Sequence, residues 1–309
     1  MRAVIVLSVV VGIFFWLDSG QFAETLSSLR PDAAPDLIFA LLIQSVAILI
    51  STYGWRLSQS KLGIPLATWG HSLVQMGLLS AGKYLPGKVF GMLARGVVVH
   101  RSGTRVNAVL CSTLMEQGAL VHSGLFLVVL CLGCFKGVYL LFCCAFLLLT
   151  LAFFPGIAVT VIVVIMEKAG WQAGKLQKVH DALSALKNFL RFPVYFPVFL
   201  VFSGVWLVSA LTLSYCISSF AGVAQISFLQ VVYTMTFAYL AGFAVFIVPG
   251  GLGVREGAMV AILSAPLGLP VAMGVAALHR LLTVLVDIVF AGIAFSQVGE
   301  IKELLRKKS

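Results

Sequence analysis

The chain breaks a long apolar run with the sequence Pro-Gly-Gly-Leu-Gly-Val-Arg-Glu at residues 249–256. A second apolar run is broken in a similar way by Lys-Tyr-Leu-Pro-Gly-Lys at residues 83–88. Lipid tolerates broken, charged backbone only where protein shields it or where it lines a water-filled cavity. Two breaks in comparable places therefore predict a binding site within the membrane.

Composition places the chain among polytopic helical membrane proteins. Of its 309 residues, 61% are hydrophobic and 10% are charged. Several apolar stretches reach or approach the roughly 20 residues that a spanning helix needs. No soluble stretch is long enough for a separate domain of ~100–150 residues. The formal charge of +10 is spread among short loops, which argues against a nucleic-acid partner and makes the basic residues markers of topology.

The apolar stretches predict six spans and two hairpins. Two runs that end at the breaks, Leu66–Ala81 and Phe228–Val248, are followed by the short segments Val89–Val99 and Gly257–Ala265. At a rise of ~1.5 Å per residue, neither short segment crosses a core of ~30 Å, so each is predicted to be the return arm of a re-entrant hairpin. The hairpins cover residues 66–99 and 228–265. The predicted spans are Ala3–Leu17, Leu37–Trp55, Val106–Gly133, Val138–Met166, Val194–Ile217 and Val271–Phe295.

Loop charges orient these segments. The loop Asp18–Asp36 holds four acidic residues against one arginine, so it is predicted to lie outside. With six spans and two hairpins, every basic cluster falls in the cytoplasm, as the positive-inside tendency expects. The first hairpin then enters from the cytoplasm and the second from outside, which is typical of an inverted repeat. The sequence thus predicts a single all-α polytopic domain, residues 1–309, in the inner (plasma) membrane with both termini cytoplasmic.

Two segments have more than one interpretation. Residues 170–192 carry apolar side chains at helical spacing beside lysines and an arginine. This pattern predicts an interfacial helix on the anionic cytoplasmic leaflet, with an ordinary connecting loop as the alternative. The N-terminal segment, 1–17, has features of a signal peptide, but no small-x-small cleavage site follows it cleanly. A retained first helix is therefore the preferred interpretation.

No metal or cofactor is predicted. The six cysteines lie in apolar segments, and the pair Cys131 and Cys134 has no second Cys or His pair at zinc-site spacing. The five histidines are scattered, without the spacing of a metal-binding helix. The glycine-rich break is not a nucleotide-binding fingerprint, because no strand precedes it and no Lys-Ser or Lys-Thr follows it.

Ionisable residues inside the apolar segments belong to two polar stripes. Glu116 has Ser112 four residues before it and Ser123 seven residues after it, on one helix face. Arg280 likewise has polar residues three and seven positions later, the second of which is Asp287. A charge at the centre of a membrane helix costs at least ~2.5–3 kcal/mol on insertion scales. Both stripes should therefore face the interior of the bundle.

These charges have two interpretations. In the first, they only clip helices together, for example Arg280 with Glu256 or Asp287. In the second, the return arms begin near the midplane and direct their N-terminal N–H groups into a cavity that suits a phosphate or another anionic headgroup. The glutamates then neutralise the arginines when the site is empty, or take up a proton during transport. The predicted substrate-binding residues are Lys83, Pro86, Gly87, Lys88, Arg95, Glu116, Pro249, Gly251, Gly253, Arg255, Glu256, Arg280 and Asp287.

At these residues the chain resembles the lysylphosphatidylglycerol synthase membrane-region family, also called the flippase-like or UPF0104 family. The family's first motif looks like P-G-R-x-G-E-x-x-R and stands here as Pro-Gly-Lys-Val-Phe-Gly-Met-Leu-Ala-Arg, residues 86–95. Lys88 replaces an arginine, Met92 replaces the acidic residue, and Gln117 replaces the arginine of a later Glu-Arg pair. The second motif, P-x-G-x-G-x-x-E, fits residues 249–256, and Arg280 matches a later arginine of the family.

The resemblance implies a lipid translocation module. In full-length bacterial relatives such a module moves aminoacylated phosphatidylglycerol between leaflets, and a C-terminal aminoacyl-transferase domain makes that lipid. This chain ends at Ser309 without such a domain, so lipid synthesis is not expected. Stand-alone members resemble accessory proteins of lipid, glycolipid or surface-polysaccharide pathways.

The expected function is therefore a lipid flippase for an anionic headgroup, with a membrane lipid as its substrate and no enzyme activity. One alternative is a membrane-embedded transferase acting on lipid-linked sugars, with Glu116 or Glu256 as acid or base. The other is a non-catalytic subunit that binds a glycosyltransferase or another lipid-pathway protein in the membrane. Association into a homo-oligomer stays open.

Overall fold

The computed structural model describes residues 29–84, 90–101, 106–136, 192–222, 225–245 and 249–306. Within these ranges the chain is all-α, with eight α-helices, one 3₁₀ turn and a single isolated bridge between Leu29 and Phe220. The helices are α1 Ala34–Lys61, α2 Trp69–Gly82, α3 Phe90–Arg101, α4 Val106–Lys136, α5 Phe192–Ser218, α6 Phe228–Ala244, α7 Val254–Leu267 and α8 Leu269–Arg306. The 3₁₀ turn, Pro249–Gly251, lies between α6 and α7.

Four of these helices are long and apolar enough to cross a membrane. They contain the stretches Ala34–Lys61, Cys111–Cys134, Val194–Ser218 and Leu269–Gln297. Each stretch overlaps one of the six predicted spans, so four of those spans are confirmed as apolar helices of membrane length. The predicted spans Ala3–Leu17 and Val138–Met166 lie outside the described residues, as does the interfacial helix 170–192 except for its last residue.

Exposed apolar side chains on α1 show which part of its surface meets lipid. Ile38, Leu42, Val46, Leu49 and Tyr53 are all exposed and follow one another at intervals of three or four residues. That spacing places them along one side of a helix. A contiguous apolar stripe of this kind suits lipid tails as solvent, so the protein is a multi-pass membrane protein.

The helices form two compact units. The first unit contains the beginning of α1, most of α2, the first half of α3, the second half of α5 and all of α6, α7 and α8. The second unit contains the end of α1, the rest of α3, α4 and the first half of α5. The described residues that flank the two Pro-Gly breaks belong to the first unit, where the geometry of a site can be described. The prediction of one domain over residues 1–309 stays a prediction.

In the first unit, the loop before α1 is fastened to the loop after α5. The Arg30 N–H donates to the Ser219 carbonyl at 2.9 Å, and Ser218 Oγ donates to Asp36 Oδ2 at 3.2 Å. The Arg30 guanidinium also forms an ion pair with Asp36, in the first turn of α1. The start of α1 and the end of α5 therefore lie at the same end of this unit.

In the second unit, the short loop from α1 to α2 is held by one arginine. Arg56 Nη1 donates to the Ala67 carbonyl at 2.5 Å and to Ser72 Oγ at 2.8 Å. Its guanidinium lies 4.7 Å from the ring centroid of Trp69, the first residue of α2. These contacts place the start of α2 at the end of α1.

The first hairpin, α2 and α3, is closed by two glycines. A Cβ atom added to Gly82 would overlap the backbone of Gly91, and one added to Gly91 would lie 2.7 Å from the Leu79 carbonyl oxygen. Only residues without a side chain allow the two helix backbones to approach this closely. Helix α2 also lies against α8, because a Cβ on Gly77 would overlap the Phe290 carbonyl.

The second hairpin repeats this arrangement. A Cβ atom on Gly251 would lie 3.0 Å from the Gly242 Cα atom, so another glycine pair brings the two arms together. The two residues of each pair are nine positions apart, at 82 and 91 and at 242 and 251. The order of elements repeats too: a short helix, a break, a second short helix and then a long helix. The inverted orientation predicted for the two hairpins stays a prediction.

Candidate functional site

The two breaks meet in the first unit. The Gly250 N–H donates to the Lys83 carbonyl at 2.8 Å. Gly250 has a left-handed backbone (φ +59°), and a Cβ atom there would lie 3.0 Å from Arg280 Nη2 and 3.2 Å from Tyr84 Cδ1. Glycine suits this position on both counts, because it adopts positive φ freely and leaves room for its neighbours. We call the place where Lys83, Tyr84, Gly250 and Arg280 come together the junction. Here the end of α2 lies against the turn before α7 and against α8.

One carboxylate of α8 binds the first break. Lys83 Nζ lies 2.6 Å from Asp287 Oδ2, and the Tyr84 hydroxyl donates to the same oxygen at 2.6 Å. The Asp287 side chain is only 5% exposed, whereas the Lys83 side chain is 35% exposed. A buried carboxylate with two strong donors is satisfied, so Asp287 serves as an anchor for residues 83 and 84.

The hydroxyl of Tyr84 can be tested for this anchoring role. Tyr84→Phe removes one hydrogen bond to a buried charged group, and we expect the free energy of unfolding to fall by about 1.5–3 kcal/mol. Tyr239→Phe is the matched control, because its hydroxyl has no hydrogen-bond partner among the described residues. Titration of the detergent-solubilised protein with a denaturing detergent measures both changes. Equal losses in the two variants would contradict the anchoring role.

Glu256 connects the second break to α8. Its Oε2 atom accepts the Gly253 N–H at 2.6 Å, which caps the start of α7 from the third helical position. Its Oε1 atom lies 3.4 Å from Arg280 Nε, which makes an ion pair between α7 and α8. Gly253 has φ +79°, so the residue before the helix again uses a conformation that favours glycine.

Arg255 forms no ion pair within 4 Å among the described residues. Its aliphatic part crosses Gly242, where a Cβ atom would overlap Arg255 Cγ. Its guanidinium lies 4.4 Å from the ring centroid of Tyr239. Among the described residues, no carboxylate pairs with it. The aromatic ring is therefore the stabilising partner that the described structure provides.

Several polar atoms at the junction lack hydrogen-bond partners within the described part of the chain. These are Nε and Nη2 of Arg280 and Nε2 of His279. The Arg280 side chain is 12% exposed, and its guanidinium lies 5.5 Å from the Tyr84 ring centroid. Buried donors are nearly always satisfied in native proteins. Arg280 Nη2 is thus the guanidinium nitrogen at the junction that has neither a hydrogen bond nor an ion pair among the described residues.

The chain matches a known protein family. The family model for the lysylphosphatidylglycerol synthase TM region matches residues 3–291. The chain belongs to this family. A search of curated proteins gives no match. Membership in the lysylphosphatidylglycerol synthase TM-region family confirms the resemblance seen in the motifs and gives the protein a membrane, lipid-related function.

Seven of the predicted site residues lie at or beside the junction in this family member. They are Lys83, Pro249, Gly251, Arg255, Glu256, Arg280 and Asp287, and an eighth, Gly253, directly precedes α7. Pro86, Gly87 and Lys88 lie outside the described residues. Arg95 is fully buried in α3, with Nη1 3.6 Å from the Met76 sulfur. Glu116 is buried in α4 within the second unit.

Both polar stripes face inward, as predicted. Ser112, Glu116 and Ser123 are buried along α4, and Thr283 and Asp287 are buried along α8. The predicted clip between Arg280 and Glu256 is also present. Asp287, however, pairs with Lys83 rather than with Arg280, because the end of α2 lies beside it.

Three residues of the junction were not predicted from the sequence: Tyr84, Tyr239 and His279. Tyr84 adjoins Lys83 in the quoted break, so its position was an available signal. Tyr239 and His279 lie in apolar helices, and only the folded structure brings them to the arginines. In the described part of the chain, no group of three His, Cys, Asp or Glu side chains is arranged to hold a metal ion.

Proposed function

We propose that this protein binds a lipid by its anionic headgroup at the junction of the two breaks and moves it between leaflets. One observation carries the proposal: the junction holds arginine donors that lack acceptors. Arg280 Nη2 is buried without a hydrogen-bond partner among the described residues, and Arg255 has an aromatic ring in place of a carboxylate. Guanidinium groups of this kind match the oxygens of a phosphate.

The path of the helices supports two hairpins that enter from opposite sides. Helix α1 has 28 residues and is about 42 Å long, which is enough to cross a membrane. Helix α2 follows the C-terminal end of α1. Helix α6 follows α5, and the C-terminal end of α5 is hydrogen-bonded to the N-terminal end of α1. At 14 and 17 residues, α2 and α6 are about 21 and 26 Å long, so each is shorter than a core of ~30 Å. These lengths support breaks that lie within the membrane.

This geometry suits translocation. A headgroup needs a polar path through the bilayer while the tails stay in lipid, and two opposed hairpins form such a path at their meeting point. We propose that the protein performs this movement without a chemical step, in the inner (plasma) membrane with both termini in the cytoplasm. A membrane-embedded transferase remains the competing hypothesis, and release of a product by the purified protein would favour it.

The proposal is tested by replacing Arg280 or Glu256. We expect Arg280→Ala to abolish the movement of a headgroup-labelled anionic lipid in proteoliposomes, because it removes the donors beside Gly250. We expect Glu256→Gln to do the same, because it removes the charge that orients Arg280 while leaving an oxygen to cap α7. Quenching of the label from one side of the vesicle measures the movement.

The control variant is Lys61→Ala, which removes one exposed charge from the end of α1. It should move lipid like the wild type. All variants are first checked for monodisperse elution in detergent, so that loss of movement is not confused with unfolding. Wild-type rates in both Arg280→Ala and Glu256→Gln would refute the site.

A further inference from the structure

The side chain of Arg255 lies across one face of α6. A Cβ atom on Gly242 would overlap Arg255 Cγ and lie 3.0 Å from its Cδ, so the aliphatic part of the arginine fills the space that a side chain at position 242 would need. A Cβ atom on Gly251 would lie 3.2 Å from the same Cγ. The arginine therefore passes beside the two glycines where the arms of the second hairpin meet.

Tyr239 supports the other end of this arginine. It precedes Gly242 by three positions, so the two residues share a face of α6. The Arg255 guanidinium lies over the Tyr239 ring, 4.4 Å from its centroid, which is the geometry of a cation–π contact. The face of α6 thus confines the aliphatic part of the arginine at Gly242 and its charged group at Tyr239.

Trp206 of α5 contacts the ring of Tyr239 in turn. The two ring centroids are 4.9 Å apart and the ring planes meet at 79°, which is the favourable edge-to-face arrangement. Trp206 is 2% exposed, and it belongs to the same compact unit as Tyr239 and Arg255. A continuous series of contacts therefore connects a buried residue of α5 to the guanidinium at the junction.

An aromatic ring fixes a guanidinium without using its hydrogen-bond donors. In an arginine–carboxylate pair the N–H groups point at the carboxylate oxygens, whereas a ring attracts the guanidinium through its face. The N–H groups at the edge of the guanidinium then stay available for phosphate oxygens. Arg255 is also attracted by Glu256 and repelled by Arg280. The ring contact restrains its position against both forces.

We propose that Tyr239 is a positioning residue that holds the Arg255 guanidinium where it binds the phosphate of a lipid headgroup, and that Trp206 positions Tyr239. This role rests on the proposed function, since it concerns the lipid bound at the same junction. It requires an arginine at position 255, because lysine carries the charge but lacks the planar group that stacks on a ring and binds two phosphate oxygens at once.

A binding experiment on the full chain tests this role. The probe is phosphatidylglycerol with a fluorescent tail, whose anisotropy is measured against protein concentration in mixed micelles. We expect Tyr239→Leu to weaken binding about threefold or more, because a cation–π contact corresponds to a factor of about 2–30 in an equilibrium constant. The conservative variant Tyr239→Phe keeps the ring face and should restore binding to within about twofold of the wild type. Arg255→Lys should bind at least as weakly as Tyr239→Leu.

A double substitution separates positioning from a general effect on stability. Arg255→Met removes the guanidinium and should weaken binding at least about tenfold, as expected for the loss of a hydrogen bond to a charged group. In that background Tyr239→Leu should weaken binding no further. Trp206→Leu should likewise weaken binding in the wild type but not in the Tyr239→Leu background. The matched control is Phe237→Leu, which removes a 40% exposed ring from the same helix and should bind like the wild type.

The possible results distinguish this role from the function on which it rests. Wild-type binding in Tyr239→Leu or in Arg255→Lys would overturn the positioning role, and so would an equal loss on Tyr239→Leu with and without Arg255. In these cases movement of the probe by the wild type in proteoliposomes would leave translocation standing. If Tyr239→Leu does not elute as folded protein, Arg255→Lys decides the question, because it leaves the ring in place. A wild-type protein that neither binds nor moves the probe would overturn both the positioning role and the proposed function.

Discussion

Gly82→Ala is expected to prevent the first hairpin from closing and to reduce the yield of folded protein sharply. The new methyl group would overlap the backbone of Gly91, which has no flexible side chain to move aside. Forcing extra volume into a well-packed contact typically costs about 1–3 kcal/mol and sometimes more, and here the obstacle is main chain, so we expect about 3 kcal/mol or more. Thermal unfolding followed by size-exclusion chromatography in detergent measures the loss.

Gly118→Ala is the matched control. Gly118 also lies in a helix, α4, but a Cβ atom there would meet nothing within 4 Å. Alanine favours helix by roughly 1 kcal/mol over glycine, so the control should be as stable as the wild type or slightly more stable. A Gly82→Ala protein with the thermal stability of Gly118→Ala would show that α2 and α3 do not approach through this glycine pair.

The second large effect is expected for Lys83→Met. Methionine keeps the length and the apolar part of the lysine side chain but leaves Asp287 as a buried carboxylate without its cation. Removing one partner of a buried ion pair costs about 3–5 kcal/mol. We expect the lower part of that range, because the Tyr84 hydroxyl still donates to Asp287 and because Lys83 is partly exposed.

A second substitution tests whether the unpaired Asp287 carboxylate causes the loss of stability. Asp287→Asn in the Lys83→Met background removes the charge and keeps an oxygen for the Tyr84 hydroxyl, so it should restore most of the lost free energy of unfolding. The four proteins form a double-mutant cycle, and the interaction energy should be of the order of 2 kcal/mol. Strictly additive effects of the two substitutions would mean that Lys83 and Asp287 are not paired.

The breaks could be predicted from the sequence because glycine and proline affect the backbone at their own positions. Proline removes a helix hydrogen bond and glycine adopts positive φ freely, and Gly250 and Gly253 have positive φ angles. The inward direction of Asp287 could be predicted too, since a charge within the membrane does not face lipid. Its ion-pair partner could not be predicted. Lys83 lies 204 positions earlier in the chain, and only the packing of α2 against α8 decides that the two side chains meet.

The role of Glu256 likewise could be predicted only in part. The sequence alone suggested an ion pair between Glu256 and Arg280, and the structure contains it. It did not show that the same carboxylate also caps the start of α7. The contact between the Tyr239 ring and Arg255 could not be predicted either, because fifteen residues and a helix break separate the two.

The hydrogen bond between Gly250 and Lys83 has a consequence for how the protein tolerates mutation. It joins main-chain atoms, so the Lys83 side chain can change without removing the acceptor. The donor side is different, because the positive φ of Gly250 and its close neighbours Arg280 and Tyr84 disfavour any side chain there. The contact between the two breaks therefore constrains the residue at position 250 much more than the residue at position 83.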